Sequence, residues 1–210
     1  MVIPAVENLK KVGWGNLFKI NKILKILVFS DILLISGYGL VSPIFAVYVT
    51  NQIAGGSLLV VGIAESIYLA TKSVLQVPIG ILIDKTSGEK IDFWLAFVGS
   101  LLMAISTFLY IFASTPLHVY LIEFLFGVGS AISFPAWMGI FTRNMEYGKE
   151  SFVWSLQSTG TELGSALTAT LGGLIGEMFG FNTLFVTVGV ITLAGTLLLI
   201  AIYNSLKLVD

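Results

Sequence analysis

Six stretches of this sequence, at about 24–50, 57–83, 91–112, 116–141, 152–176 and 182–203, are each long and apolar enough to cross a bilayer. A spanning helix needs about 20 mostly apolar residues, because the hydrocarbon is about 30 Å thick. The runs are rich in Leu, Ile, Phe, Ala and Gly. They lack the alternation of short segments that marks a membrane barrel. The sequence therefore predicts an all-α polytopic membrane protein. A basic segment at 1–23 precedes a six-helix domain at 24–203, and a short tail follows at 204–210.

Composition excludes most other classes. Hydrophobic residues make up 56% of the 210 and charged residues 11%, against about 25% charged in a soluble domain. There is no cysteine and a single histidine, His118. Thiolate chemistry, a histidine metal cluster and a Ser-His-Asp triad are not expected, nor is any metal or cofactor. The net charge of −1 offers no footprint for nucleic acid. No G-x-x-x-x-G-K-S/T string is present, so energy from ATP is not expected. Gly37-Tyr38-Gly39 superficially matches a potassium filter, but it lies inside a continuous apolar span.

Lysine and arginine set the orientation. Lys10, Lys11, Lys19, Lys22 and Lys25 lie before or at the very start of the first span; Lys85 and Lys90 lie between the second and third. Arg143 and Lys149 lie between the fourth and fifth, and Lys207 follows the sixth. Ten of the eleven basic residues thus fall on one side, and Lys72 alone lies within a span. The positive-inside rule makes both termini cytoplasmic, in a multi-pass protein of the plasma (inner) membrane. So complete a bias also argues against insertion both ways up. Trp14, Leu17, Phe18 and Ile20 among the lysines suit either a short helix on the inner leaflet or a basic tail that enforces topology.

Ionisable residues inside spans are costly and mark function by default. Asp31 lies in the first span, Glu65 and Lys72 in the second, Glu123 in the fourth and Glu162 in the fifth. The third and sixth spans read as free of such residues. The expected arrangement puts the first, second, fourth and fifth around a polar interior and the other two against lipid. Helical spacing supports it. Glu65, Tyr68, Lys72 and Gln76 form one stripe, and Ser155, Ser158, Glu162 and Ser165 another. Asp31, Ile35, Tyr38 and Ser42 form a third, and Glu123, Gly127, Ser130, Phe134 and Trp137 a fourth. The Gly and Ser in these stripes equally suit helix packing. Four carboxyls facing one lysine predict that at least one holds a proton near neutral pH, hence proton coupling. Glu162, nearest mid-span, is the first candidate, and Lys72 is read as a counter-ion that could also attract an anion. Tyr38, Tyr68, Phe134, Trp137 and Trp154 near the expected cavity suit an apolar or aromatic compound, and equally suit packing.

The second span ends Pro78-Ile79-Gly80-Ile81-Leu82-Ile83-Asp84-Lys85, followed by Gly88 and Lys90. This resembles the G-x-x-x-D-R/K-x-G-R-R/K loop signature of the major facilitator superfamily, with one residue inserted before Gly88 and Glu89 at a usually basic position. Glu123 to Gly129, with Phe134-Pro135-Ala136 after it, is similar to the family's R-x-x-x-G-x-G stretch, with Glu123 in place of the arginine. Gly164, Thr168-Ala169 and Gly172-Gly173 resemble the antiporter motif, with Thr-Ala in place of Gly-Pro. Gly180-Phe181-Asn182 with Phe185 is similar to the entry of the sixth helix, and Asp31 followed by Pro43 to the first helix of drug-efflux members.

The resemblance covers one six-helix half of the family's fold. It implies a secondary transporter with a gating role for Gly80, Asp84, Lys85 and Gly88. The cavity would lie between two halves, lined by helices 1, 2, 4 and 5 of each. A parallel homodimer in the bilayer would supply the second half and would carry a small-molecule substrate with protons, in an efflux-like manner and by alternating access. Two alternatives stand beside it: a non-transporting scaffold or partner-binding subunit, and a fragment of a full-length transporter. No enzymatic activity is expected.

Overall fold

A computed structural model describes residues 20–85 and 88–206. The inner-leaflet helix considered for Trp14, Leu17 and Phe18 lies outside these residues, as do Lys10, Lys11, Lys19 and Lys207. Every regular element among the described residues is helical. In hydrocarbon no water is available to bond the backbone, so long apolar runs satisfy it internally as helices.

Helix α1, Lys22–Val41, starts where the Asn21 side chain accepts from the Ile23 amide at 3.1 Å. It passes through a 3₁₀ turn at Ser42–Ile44, which contains Pro43, into α2, Phe45–Gln52. Proline lacks the amide an α-helical turn would use there. Helix α3 is Leu58–Lys85, α4 is Glu89–Leu109 with a 3₁₀ extension at Tyr110–Phe112, and α5 is Pro116–Arg143. Helix α6 is Glu150–Leu198, followed by a 3₁₀ stretch at Leu199–Ser205.

Among the described residues five helical stretches are long and apolar enough to cross a membrane: Lys22–Gln52, Leu58–Lys85, Glu89–Phe112, Pro116–Arg143 and Glu150–Ser205. The fifth holds two of the expected spans. At about 1.5 Å per residue α6 would be about 75 Å long if straight. It is broken at Gly180, where φ is 80° and ψ 167°. That region is open essentially to glycine alone. The break therefore divides α6 into two arms without a loop.

Small residues let the helices close on one another, the usual device in membranes. Helix α1 lies against both arms of α6. Gly39 meets Ser165 and Thr168, Gly164 meets Ser36, and Gly172 meets the Leu40 backbone on the first arm. Gly37 meets Thr192 on the second arm, and Ser30 donates to the Gly195 carbonyl at 2.7 Å. Between α4 and α5, Gly99 faces Gly129 and Ser133, and the Ser100 and Ser133 hydroxyls are 2.8 Å apart.

The described basic residues near helix ends gather at one end of the bundle. There Arg143 pairs with the buried Asp92, Asn144 donates to Glu89 at 3.0 Å, and Asn21 donates to Asn144 at 3.4 Å. Asp92 falls within the third expected span, so that span is not free of ionisable residues; a carboxylate is tolerated in the first turn of α4 because Arg143 meets it. An apolar cluster around Leu27, Phe93, Phe141 and Val153 fills the bundle near this basic end. A second, around Tyr48, Val60, Tyr110, Val119 and Phe185, fills the other.

Candidate functional site

Between the two clusters lies a cavity of about 620 Å³. Its ionisable lining is Asp31 from α1, Glu65 and Lys72 from α3, and Glu123 from α5. Tyr38, Tyr68 and Trp137 also line it. Four residues at four-residue or shorter helical intervals on α5 (Ser130, Ser133, Phe134 and Trp137) present one side to it, as the spacing of that helix predicts.

Two of the three carboxylates are already engaged. Gln157 Nε2 donates to Asp31 Oδ2 at 2.6 Å, and the Tyr110 hydroxyl donates to Glu123 Oε1 at 2.5 Å. Glu65 lies on the exposed edge of the cavity. Lys72 Nζ is 3.5 Å from the Tyr68 hydroxyl and 5.1 Å from the centre of the Phe134 ring. An aromatic arc completes the wall: Tyr38 meets Phe126 edge-on at 5.0 Å, and Tyr68 meets the same ring at 5.4 Å.

Three expected site residues lie elsewhere. Glu162 sits on an exposed face of α6, where it accepts from Ser158 at 2.7 Å, and neither lines the cavity. Gly160, Gly164 and Gly172 face α1, which turns Glu162 to the opposite side of its helix. Gln76 is also outside the cavity lining. Of the loop signature, Gly80 lies within α3, Asp84 and Lys85 are exposed at its end, and Gly88 precedes α4 with φ 149°.

The lining is also wider than the four-helix expectation. Ser100, Met103, Thr107 and Tyr110 come from α4 and its extension, and Phe185 from the second arm of α6. The third and sixth expected spans thus share in the cavity instead of lying wholly outside it. The Ser100 and Thr107 hydroxyls bond within the protein, to Ser133 and to the Met103 carbonyl, so their polarity is met by uncharged partners. Sequence reasoning missed Gln157 and Tyr110. Gln157 follows Trp154, another lining residue, by three positions, a spacing that could have found it.

The sequence matches the Major Facilitator Superfamily over residues 27–207. It is 26% identical over 177 residues to an uncharacterised MFS-type transporter of Methanocaldococcus jannaschii, covering 83% of this chain and 42% of that protein. It is 27% identical over 135 residues to the voltage-gated purine nucleotide uniporter of Homo sapiens, covering 63% and 30%. It is 26% identical over 137 residues to the probable sulfoacetate transporter of Cupriavidus necator, covering 65% and 31%. The chain thus spans less than half the length of these relatives. With a match that runs from α1 to the last turn of the bundle, the chain belongs to the major facilitator superfamily.

Proposed function

We propose that the chain is a half-transporter with six spans and cytoplasmic termini, the two arms of α6 being the fifth and sixth. Two copies side by side and parallel enclose a shared pathway and carry a small solute by alternating access, in an efflux-like manner and coupled to protons. Asp31, Glu65, Glu123 and Glu162 are the proton-exchanging groups, with Lys72 as their counter-charge.

One observation carries this reading. On α3, Gly62, Ser66, Leu69, Ser73, Gln76 and Gly80 recur at four and three residues and share a face. On the first arm of α6, Ser155, Thr159, Glu162, Ala166, Ala169 and Gly173 recur in the same way. A Cβ at Gly62 or Gly173 would meet nothing within 4 Å. Glycine inside a helix costs about 1 kcal/mol relative to alanine, and the described chain supplies no neighbour that explains it at these two positions. The two faces also match in depth. Counted from the basic ends, Gly62 and Gly173 lie about 35 Å away, Ser73 and Glu162 about 18 Å, and Gly80 and Ser155 about 8 Å. A two-fold axis along the membrane normal preserves depth, so α3 of one copy meets the first α6 arm of the other, level by level.

The sequence contains no cysteine, which makes cross-linking a clean test. Copies carrying Gln76→Cys and copies carrying Thr159→Cys, differently tagged and co-expressed, should form a disulfide-linked pair on oxidation. Val77→Cys with Leu163→Cys, on lipid-facing sides, should not. In proteoliposomes the protein should move protons, and Glu162→Gln should alter that flux. A strictly monomeric protein that transports would overturn the homodimer. The greater length of the relatives favours one second reading, in which the matching six-helix unit lies on the same longer polypeptide. In that case the chain neither cross-links nor transports until such a unit is supplied.

A further inference from the structure

We propose that the cavity binds an organic anion with an apolar or aromatic body, its acidic group seated against Lys72, with Tyr38 and Trp137 offering further donors along the same cavity. The inference deepens the transport reading and rests on it for the use of the site, though not for binding itself.

The polar lining divides by whether its hydrogen-bonding capacity is spent. Asp31 is met by Gln157 and Glu123 by Tyr110, at 2.6 and 2.5 Å. Ser100 and Ser133 satisfy each other. What remains unspent is donors. Trp137 is 7% exposed, and its indole nitrogen has no partner. An indole N–H can only donate. The Tyr38 hydroxyl is likewise buried without a partner. Lys72 carries three donors, and the ion pairs among the described residues are Arg143–Asp92 and Lys149–Glu146, neither of which involves it. A sheltered cation is costly unless a counter-charge meets it. A carboxylate or sulfonate supplies both that charge and acceptors for the Lys72 ammonium and the Tyr68 hydroxyl, 3.5 Å from it.

The surroundings fit the rest of such a ligand. Phe126 lies edge-on between Tyr38 and Tyr68, and Phe134 lies under Lys72, so an apolar wall adjoins the cation. The lining carboxylates are not in its place. Glu65 is two helical turns, about 10 Å, nearer the non-basic end. Glu123 is tied to Tyr110 at that same end, and Asp31 is tied to Gln157. Protons on these carboxyls, which the transport reading already requires, remove the opposing charge as an anion enters. The same donors would have no use for an organic cation, whose ammonium would be repelled by Lys72.

The test is equilibrium dialysis of the purified full chain in nanodiscs against radiolabelled 1-naphthoate, with 1-naphthamide and 1-naphthylmethylamine as neutral and cationic matches. Naphthoate should bind at least about tenfold tighter than either, in keeping with one charged hydrogen-bonded contact. Lys72→Gln should weaken naphthoate by about tenfold or more, while Lys72→Arg stays within about threefold, because the arginine keeps the charge and the donors. Melting curves establish that both variants fold. Tighter binding of the amine, no binding of naphthoate, or equal binding by Lys72→Gln would overturn the proposal. Proton flux without naphthoate binding would sink this inference and leave transport standing. Naphthoate binding without any flux would support the site and sink the reading of the chain as a homodimer that transports by itself.

Discussion

The Tyr110 hydroxyl donates to Glu123 Oε1 at 2.5 Å, joining the end of α4 to α5 across the cavity wall. The Tyr48 hydroxyl in turn donates to the Tyr110 carbonyl at 2.7 Å, and the Tyr110 ring stacks on Phe185 at 4.9 Å. Glu123 is therefore held by a side chain that is itself fixed from α2 and the second arm of α6. Tyr110→Phe should keep the ring packing and lose the donor. It should lower stability by about 1.5–3 kcal/mol, the range for a hydrogen bond to a charged group. Combined with Glu123→Gln, the further loss should be small, since one interaction is removed only once. Thermal melts of the four proteins of this cycle measure it.

At the basic end, Asp92 is buried, with its side chain 2% exposed, and Arg143, 43% exposed, reaches it from the next helix. Arg143→Ala would leave a buried carboxylate without its partner, which costs about 3–5 kcal/mol in fully buried pairs. The partial exposure of Arg143 places the expected loss near the lower end of that range. Asp92→Asn together with Arg143→Gln should melt closer to the unaltered protein than Arg143→Ala alone. A melt in which all three coincide would mean the pair contributes nothing to the fold.

Two adjacent glycines should behave in opposite ways. A Cβ at Gly172 would run into the Leu40 backbone, whereas one at Gly173 would meet open space. Gly172→Ala should separate α1 from α6 and destabilise the single chain by about 1–3 kcal/mol, as overpacking does. Gly173→Ala should be neutral or slightly stabilising in the single chain through helix propensity. If α6 packs on α3 of a second copy, Gly173→Ala should nonetheless weaken cross-linking between Gln76→Cys and Thr159→Cys. Equal melting of the two alanine variants would contradict the close approach at Leu40.

Gly180 gives a fourth expectation. Its backbone lies at φ 80°, ψ 167°, and an alanine there should cost at least about 1–3 kcal/mol. Gly180→Ala should lower the melting temperature, whereas Gly176→Ala should do so less. Gly176 sits one turn earlier, and a Cβ there would meet only the flexible tip of Ile44, at 3.1 Å.

How much of this could be read from the sequence depends on which interaction fixed each feature. The apolar runs gave the helices, because backbone satisfaction in hydrocarbon leaves no alternative. The stripes brought Asp31, Glu65, Lys72 and Glu123 to one cavity, because spacing along a helix fixes a shared face. Spacing does not fix which face turns inward. For Glu162 that was decided by Gly160, Gly164 and Gly172, whose contacts with α1 rotate the carboxyl outward. Nor does spacing reveal partners from other helices. Tyr110 and Gln157 reach their carboxylates only through the tertiary arrangement. Gly180-Phe181-Asn182 resembles an ordinary loop in sequence, and only its backbone angles show that one residue makes the joint.

The one-residue joint at Gly180 has a bearing on how the protein is made. With α1 seated against both arms through Gly37, Gly39 and Gly195, and no slack between the arms, neither arm can settle at its own pace. On the six-span reading they leave the translocon as a single hairpin and clasp an α1 already waiting in the lipid, so a later-made segment locks an earlier one.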